Sequence, residues 1–186
     1  MNSLLKQQYK EHLTEDFYSE VSSREFKSPK LLAYNKNLAD FLNLPNFNNT
    51  EACLIFSGQK NISNSTPIAM VYAGHQFGHF VPRLGDGRAK LLGNIKAKDE
   101  KNYDIQLKGS GPTKYSRSGD GLSALGPVIR EYIVSEAMHN LGIPTTRALA
   151  AVSTGEEVVR ESMEPGGVFT RVARSHIRIG NFEYFF

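Results

Sequence analysis

The chain of 186 residues carries 22 Lys and Arg against 19 Asp and Glu, and 40% of its residues are hydrophobic. This composition predicts a soluble globular protein with one core of ordinary size. The formal net charge of +3 excludes a chain that coats a nucleic-acid backbone, and the single cysteine, Cys53, excludes a disulfide framework or a cysteine-based zinc site.

Residues 1–66 are predicted to form a polar, helical N-terminal arm that ends in a loop. The stretch SPKLLAYNKNLADFLNL places apolar residues at mixed three- and four-residue steps, which is typical of a helix face. The following stretch, NFNNTEACLIFSGQKNISNSTP, is rich in loop-forming residues. The N-terminal MNSLLKQQYKEHLTEDF has no long apolar run, so we expect neither a signal peptide nor a membrane span.

From residue 67 to residue 186, short strand-like runs alternate with turn signals. The runs are RAKLLGNI, YDIQLKG, RALAAVS, EEVVRES and VFTRVAR, and AVSTGEEVV predicts a hairpin around Thr154 and Gly155. LSALGPVIREYIVSEAMHNLGIP predicts one helix, with Ser123 as a candidate cap and Gly142 near its end. The sequence therefore predicts an α+β fold with a mostly antiparallel sheet and one main helix.

Two loops combine glycine with positive charge. Taken alone, LGDGR is most simply an Asp-Gly hairpin turn, because glycine tolerates the positive φ of such turns. A second interpretation is compatible with the first: the bare backbone lets N–H groups approach phosphate oxygens, with Arg88 adding charge. In the second loop, Lys108 ends a strand directly before Gly-Ser-Gly, and Asp120 and Gly121 repeat the triplet of the first loop. Both loops are candidates for binding an anion.

The order of these elements is that of the small lobe of a protein kinase: a glycine-rich loop, a strand that ends in lysine, then a helix. The glycine spacing of kinases is absent from the sequence, and so is a Walker A loop. The order of elements alone therefore fits a kinase-like arrangement, but the order is not specific to kinases.

Several motifs together resemble the SelO family of protein adenylyltransferases. They are YAGHQFGHFVPRLGDGRAKLLG, DIQLKGSG, YSRSGDG, IREYIVSEAM, LGIPTTRAL and FTRVARSHIRIGNFEYF, and the resemblance covers residues 28–186. It implies a kinase-like small lobe that binds ATP, flipped relative to kinases, in a protein that transfers AMP to Ser, Thr or Tyr hydroxyls. It also implies Mg²⁺ and protein substrates, and a cytoplasmic location if the source is bacterial. The low net charge and the lack of a long apolar run lead us to expect neither nucleic acid nor membrane as a partner.

The resemblance also implies an ATP site. The residues expected to contact the nucleotide are Gly85, Gly87, Arg88, Lys108, Asp120, Gly121, Arg171 and Arg178. Arg171 and Arg178 would bind the far phosphates, which leave as pyrophosphate when AMP is transferred. Chemistry supports that role, because a leaving group that gathers negative charge is stabilised by fixed guanidinium groups.

Two glutamates compete as the partner of Lys108. The resemblance points to Glu131. A helical wheel places Glu131 nearly opposite an apolar arc, whereas Glu136 falls inside that arc, where an ionised carboxylate needs a partner. The arc consists of Leu125, Val128, Ile129, Tyr132, Ile133 and Ala137. We therefore expect Glu131 to orient the lysine and keep Glu136, paired with an arginine, as the alternative.

The sequence stops at FEYFF, so we expect the second lobe, with its catalytic aspartate and magnesium ligands, to be missing. We then assign no catalytic or metal residue to this chain and expect it to be inactive alone.

One alternative is an inactive remnant or an ATP-binding interaction module. A weaker one is an RNA- or phosphosugar-binding domain, which the low net charge opposes. A metal site at His75 and His79 is disfavoured, because no carboxylate completes it.

Overall fold

The computed structural model describes residues 4–62 and 66–186, which contain five α-helices and nine strands. The helices are α1 (Gln8–His12), α2 (Lys36–Phe41), α3 (Asn49–Ser57), α4 (Leu125–Asn140) and α5 (Ile179–Tyr184). The strands are β1 (Tyr18–Glu20), β2 (Lys30–Tyr34), β3 (Ile68–Met70), β4 (Gly74–Gln76), β5 (His79–Val81), β6 (Ala89–Lys96), β7 (Asn102–Lys108), β8 (Arg147–Val159) and β9 (Met163–Ala173).

Seven of these strands form one sheet in the order β1-β3-β6-β7-β9-β8-β2, and β4 pairs with β5 in a small hairpin of its own. Neighbouring strands in both sheets run antiparallel. The predicted α+β fold, with a mostly antiparallel sheet and α4 as its main helix, is therefore confirmed.

The two faces of the large sheet differ in chemistry, because successive side chains of a strand point to opposite faces. In β7, Ile105 and Leu107 are fully buried in the main apolar core, which also contains residues of α2 and α3. Gln106 and Lys108 point to the other face. There Arg171 of β9 lies opposite Gln106, and Phe169 lies opposite Lys108. Strand alternation thus places a lysine and an arginine on the face that α4 covers in part.

The N-terminal 66 residues contain more regular structure than their pattern predicts. KLLAY, predicted as helix, is strand β2 and pairs with β8, while the predicted loop NFNNTEACLIFSG contains helix α3. Asn35 and Asn48 mark where α2 and α3 begin, because their side chains accept the N–H groups of the residues three further on. Residues 1–3 and 63–65 of this segment lie outside the described residues, and a boundary at residue 66 stays a prediction.

Two local predictions are wrong. Strand β8 continues through Thr154 and Gly155, and the chain turns at residues 160–162 instead. Gly155 has φ +70° and forms part of a bulge, where a Cβ would lie 2.6 Å from the carbonyl oxygen of Ser28. The N-cap of α4 is Ala124 rather than Ser123, and no side chain caps it.

The C-terminal end of α4 follows its sequence signal. Gly142, at φ +77°, donates its N–H to the carbonyl of His139 at 3.0 Å, and Ile143 donates to Met138 at 3.0 Å. This pair of bonds is a Schellman motif, which requires the left-handed conformation that glycine adopts without strain.

Over residues 4–62 and 66–186, the structure has no helix with the length and apolar character of a membrane span.

Candidate active site

A cavity of about 820 Å³ opens between the two glycine-rich loops, the end of β7, strand β9 and the segment before α5. The eight residues predicted to contact ATP all line it: Gly85, Gly87, Arg88, Lys108, Asp120, Gly121, Arg171 and Arg178. These residues are far apart in the sequence, and the sheet brings them together because it places β6, β7 and β9 side by side. The cavity is therefore lined by several cations from distant segments.

The first loop runs beside another segment of the chain and forms no hairpin. Leu84 and Gly85 donate their N–H groups to the carbonyl of Tyr72 at 2.8 and 3.1 Å, and Asp86 donates to Met70 at 2.9 Å. The interpretation of LGDGR as an Asp-Gly turn is wrong. Gly85 has the positive φ, at +66°, and Gly87 does not.

The glycines of the first loop are required by contact with the second loop. A Cβ on Gly85 would lie 2.4 Å from Cγ of Tyr115, and one on Gly87 would lie 2.9 Å from the Tyr115 carbonyl oxygen. The Thr113 hydroxyl donates to the carbonyl of Asp86 at 2.7 Å and holds the loops together. The two loops thus form one wall of the cavity, and a larger residue at either glycine would separate them.

Asp120 carries a charge that the protein already balances. Its carboxylate accepts hydrogen bonds from Arg160 at 2.8 and 3.3 Å and from the N–H of Leu122 at 2.9 Å. The hydrogen bond from Arg160 holds the pKa of Asp120 below its usual value. Gly121 next to it has φ +69°, and a Cβ there would lie 2.3 Å from backbone atoms of Gly111. This part of the second loop is therefore fixed by its own contacts.

Lys108 forms an ion pair with Glu131, which α4 presents to the sheet. The side chains are 15% and 30% exposed. Burial lowers the pKa of Lys108, and attraction to Glu131 opposes that shift, while Arg171 and Arg88 lower the pKa further by repulsion. Lys108, Arg171 and Arg88 line the same cavity. Glu131 is the anion that keeps the lysine charged.

Glu136 has another set of partners. It accepts hydrogen bonds from Nε and Nη2 of Arg147, both at 2.8 Å, and from the N–H of Ala148 at 2.8 Å. Burial raises the pKa of Glu136, but the hydrogen bonds from Arg147 and Ala148 outweigh burial and hold the pKa below its usual value. Glu136 thus joins α4 to the start of β8, away from Lys108.

The helical wheel predicted only part of the buried face of α4. Val128 is buried against Phe169, with Tyr132 partly buried beside it. Ile129 and Ile133 are 41% and 61% exposed, contrary to the predicted arc. The side of α4 that faces the sheet also carries Glu131. The ion pair with Lys108 therefore lies in the same interface as the apolar contacts.

Arg171 and Arg178 lie at one end of the cavity. The Nε atom of Arg171 is buried and has no hydrogen-bond partner among the described residues. Burial lowers the pKa of Arg171, and repulsion by Arg178 lowers it further. Arg178 is half exposed and lies over the ring of Tyr72, with 5.1 Å from Cζ to the ring centroid. The two guanidinium groups are thus neighbours, and the Nε–H group of Arg171 has no hydrogen-bond acceptor among the described residues.

Asp86 was not predicted as a site residue, yet its carboxylate lies beneath these arginines. It is 2% exposed, accepts the N–H of Met70 at 3.3 Å, and lies 3.9 Å from Nη2 of Arg178. Burial raises its pKa to about 6, although Arg178 attracts the charged form. Burial and the charge of Asp86 raise the pKa of Tyr72 to about 12. An aspartate between two glycines looks like a turn residue, so its burial had no signal in the sequence.

Metal binding has little support in the described residues. No group of three or more His, Cys, Asp or Glu side chains among residues 4–62 and 66–186 could hold an ion. His75 belongs to β4 and His79 to β5, where His79 lies opposite Gln76.

Comparison with known protein families gives one consistent result. The model of the family described as "Protein adenylyltransferase SelO" matches residues 2–186. Proteins named "Protein nucleotidyltransferase YdiU" are similar to the chain. The protein of Maridesulfovibrio salexigens is 60% identical over 175 residues, that of Clostridium perfringens 57% over 170, and that of Roseobacter denitrificans 56% over 169. These stretches cover 93%, 90% and 91% of this chain but 35%, 34% and 36% of the respective relatives. The resemblance predicted from the motifs is confirmed.

Proposed function

The chain belongs to the SelO family of protein adenylyltransferases, and from this we propose that its cavity binds ATP for a protein that transfers AMP to protein hydroxyls. The observation that carries the proposal is the buried Nε of Arg171, which has no partner among the described residues and adjoins a second guanidinium. A desolvated donor costs free energy until it is bonded, and two adjacent cations repel each other. A phosphate group bound beside the two guanidinium groups would offset their repulsion.

The rest of the cavity fits the same ligand. Lys108 and Arg88 add two cations close to Arg171, and 820 Å³ is within the range of about 300–1,000 Å³ that is usual for small-molecule sites. Arginine is suited to this task because its planar group forms two parallel hydrogen bonds to phosphate oxygens. We assign the far phosphates to Arg171 and Arg178 and the remaining phosphate contacts to Lys108, Arg88 and the loop that contains Gly85.

The proposal includes a kinase-like small lobe. Its support is the ion pair between Lys108, at the end of a central strand, and Glu131, on the main helix, which is the pairing that protein kinases use to hold a phosphate-binding lysine. In this arrangement Glu131 keeps the lysine charged and fixes its position. Arg171 and Arg178 would stabilise the charge that gathers on the leaving pyrophosphate, because fixed cations need no reorganisation as the charge develops.

The acidic residues around the cavity do not fit a magnesium site. Asp86 is almost fully buried, Asp120 is held by Arg160, and Glu131 is held by Lys108. Magnesium prefers several open oxygen ligands, together with water molecules that it retains. We therefore assign nucleotide binding to this chain, derive no step through a metal, and assign no catalytic residue among the described positions.

Calorimetric titration of ATP into Lys108→Ala, in the longest natural form of the protein, tests the binding site. A hydrogen bond to a charged group contributes about 1.5–3 kcal/mol, so we expect ATP affinity to fall about ten- to a hundredfold. Lys98→Ala is the matched control, because that lysine pairs with Asp40 on the surface, and its affinity should not change. Unchanged affinity in folded Lys108→Ala would remove this lysine from the site.

Transfer of label from ATP to proteins then separates the proposal from its alternatives. AMP is traced with ATP labelled on the α-phosphate, and phosphoryl transfer is traced with label on the γ-phosphate. We expect label only from the α-phosphate. Tight ATP binding without any transfer by the natural protein would favour the inactive remnant or the ATP-binding interaction module. Binding of RNA in preference to ATP would overturn the proposal.

A further inference from the structure

The carboxylate of Asp86 has no role in the proposed function so far, although it is the most deeply buried acidic group at the cavity. Its side chain is 1% exposed. It accepts hydrogen bonds from the N–H of Met70 at 3.3 Å and from Nε2 of Gln106 at 3.5 Å, and it interacts with the hydroxyl of Tyr72. These contacts fix its position on the protein side of the two arginines.

Arg178 needs such a fixed partner more than the other cations of the cavity do. Its side chain is 43% exposed, and the contacts that orient its guanidinium are the ring of Tyr72 and the carboxylate of Asp86. Arg178 also repels Arg171, which lies deeper in the protein. A long side chain that is half exposed and repelled from inside would extend into solvent unless an anion held it.

We propose that Asp86 is a positioning residue that holds Arg178 against the cavity wall, so that Arg178 and Arg171 bind the same phosphate end of the nucleotide. This inference rests on the proposed function, since it assumes that ATP is the ligand. Asp86 attracts the arginine at 3.9 Å, and the arginine in turn binds the phosphates. Tyr72 completes the arrangement, because its ring supports Arg178 and its hydroxyl interacts with the same carboxylate.

Asp86 has a second possible effect on the same arginine. A carboxylate at 3.9 Å from a guanidinium could compete with phosphate and weaken binding. The distance argues against competition, because it exceeds the usual length of a charge-assisted hydrogen bond, about 2.7–2.9 Å. Arg178 thus keeps its donors available for a ligand while Asp86 limits where the guanidinium can go.

A double-mutant cycle tests this inference. ATP and AMP affinities are measured by calorimetry for the natural protein, Asp86→Asn, Arg178→Gln and the double variant. Asparagine keeps the size of the side chain and its remaining oxygen can accept the N–H groups of Met70 and Gln106, so the substitution removes the charge and the acceptor that faces Arg178. We expect Asp86→Asn to weaken ATP binding about five- to twentyfold and to change AMP binding less than twofold. In the Arg178→Gln background, Asp86→Asn should change ATP binding less than twofold.

Several results would overturn the inference. Equal losses for ATP and AMP, or the same loss with and without Arg178, would mean that Asp86 acts on the fold of the site in general. Tighter ATP binding in Asp86→Asn would show competition with phosphate. Asp40→Asn, which removes an exposed carboxylate paired with Lys98, is the control and should leave both affinities unchanged. If the natural protein bound no ATP, the proposed function would fail together with this inference. If it bound ATP and Asp86→Asn bound it equally well, only this inference would fail.

Discussion

Replacement of Asp86 by asparagine should remove a loss of stability that the natural protein undergoes between about pH 4 and pH 6. Burial raises the pKa of this carboxyl to about 6 in the folded protein, from 3.8 as the ordinary value. Between these two pH values the unfolded chain loses a proton that the folded protein retains, so the folded protein loses stability as the pH rises. The loss is about 1.4 kcal/mol per pH unit over about two units, or about 3 kcal/mol in total. It is complete above pH 6 and absent below pH 3.8.

The assay is urea unfolding of the natural protein and Asp86→Asn at several pH values from 4 to 8. Asparagine does not titrate, so the free energy of unfolding of the variant should lack the decrease between pH 4 and 6. The difference between the two proteins should therefore grow by about 3 kcal/mol across this interval and stay constant above it. Asp40→Asn, at an exposed position, should follow the natural protein throughout.

Two parallel curves would refute the reasoning, because they would mean that the carboxyl has the same pKa in the folded and unfolded states. The groups that influence Asp86 in the folded protein are Arg178, Arg171 and Tyr72, and Tyr9 and Tyr115 feel its charge in turn. The arginines and the tyrosines keep their charge states from pH 4 to 8, as their ordinary pKa values lie at 10 or above. The predicted change therefore belongs to Asp86.

Further predictions concern the two glutamates and one glycine. Glu131→Gln should weaken ATP binding with little change in melting temperature, whereas Glu136→Gln should lower the melting temperature by about 4–8 °C, as expected for a loss of about 2 kcal/mol when Arg147 loses its partner. Calorimetric titration and thermal unfolding of both variants check this pair, and the reverse pattern would exchange the assigned roles. Gly121→Ala should cost at least about 1–3 kcal/mol in urea unfolding, because its φ is +69° and a Cβ would contact the backbone of the second loop. An unchanged unfolding midpoint would show that the loop can shift freely.

Strands β6, β7, β8 and β9 could be predicted from sequence because each one carries a local signal. In YDIQLK, Ile105 and Leu107 point to the main core while Gln106 and Lys108 point to the opposite face, and Gly142 marks the end of α4 by its conformational freedom. Strand β2 could not be predicted in this way. Its residues Lys30–Tyr34 precede helix α2 so closely that the combined apolar positions imitate one helical face. The pairing of β2 with β8 is a contact between distant segments, which a local pattern does not encode.

The cavity could be predicted in part for a related reason. The motifs place Lys108, Arg171 and the glycines at strand ends and in loops, and the antiparallel sheet then brings them together. Asp86 and Tyr72 gain their positions only when the first loop packs beside the segment that follows β3. Because burial sets their pKa values, and burial depends on the whole fold, no pattern of neighbouring residues could have indicated them.

The distribution of charge explains why Arg171 is an arginine. Lys108 has Glu131 in contact, and Arg178 has Asp86 behind it, whereas Arg171 is attracted by both of these anions at a greater distance and its Nε is without a hydrogen bond among the described residues. A lysine in such a position would lose its proton readily, since burial disfavours the ammonium form by up to several pKa units. A guanidinium keeps its charge there, because its ordinary pKa lies above 12 and its charge is delocalised. Position 171 is therefore one where arginine retains a full positive charge for an incoming anion.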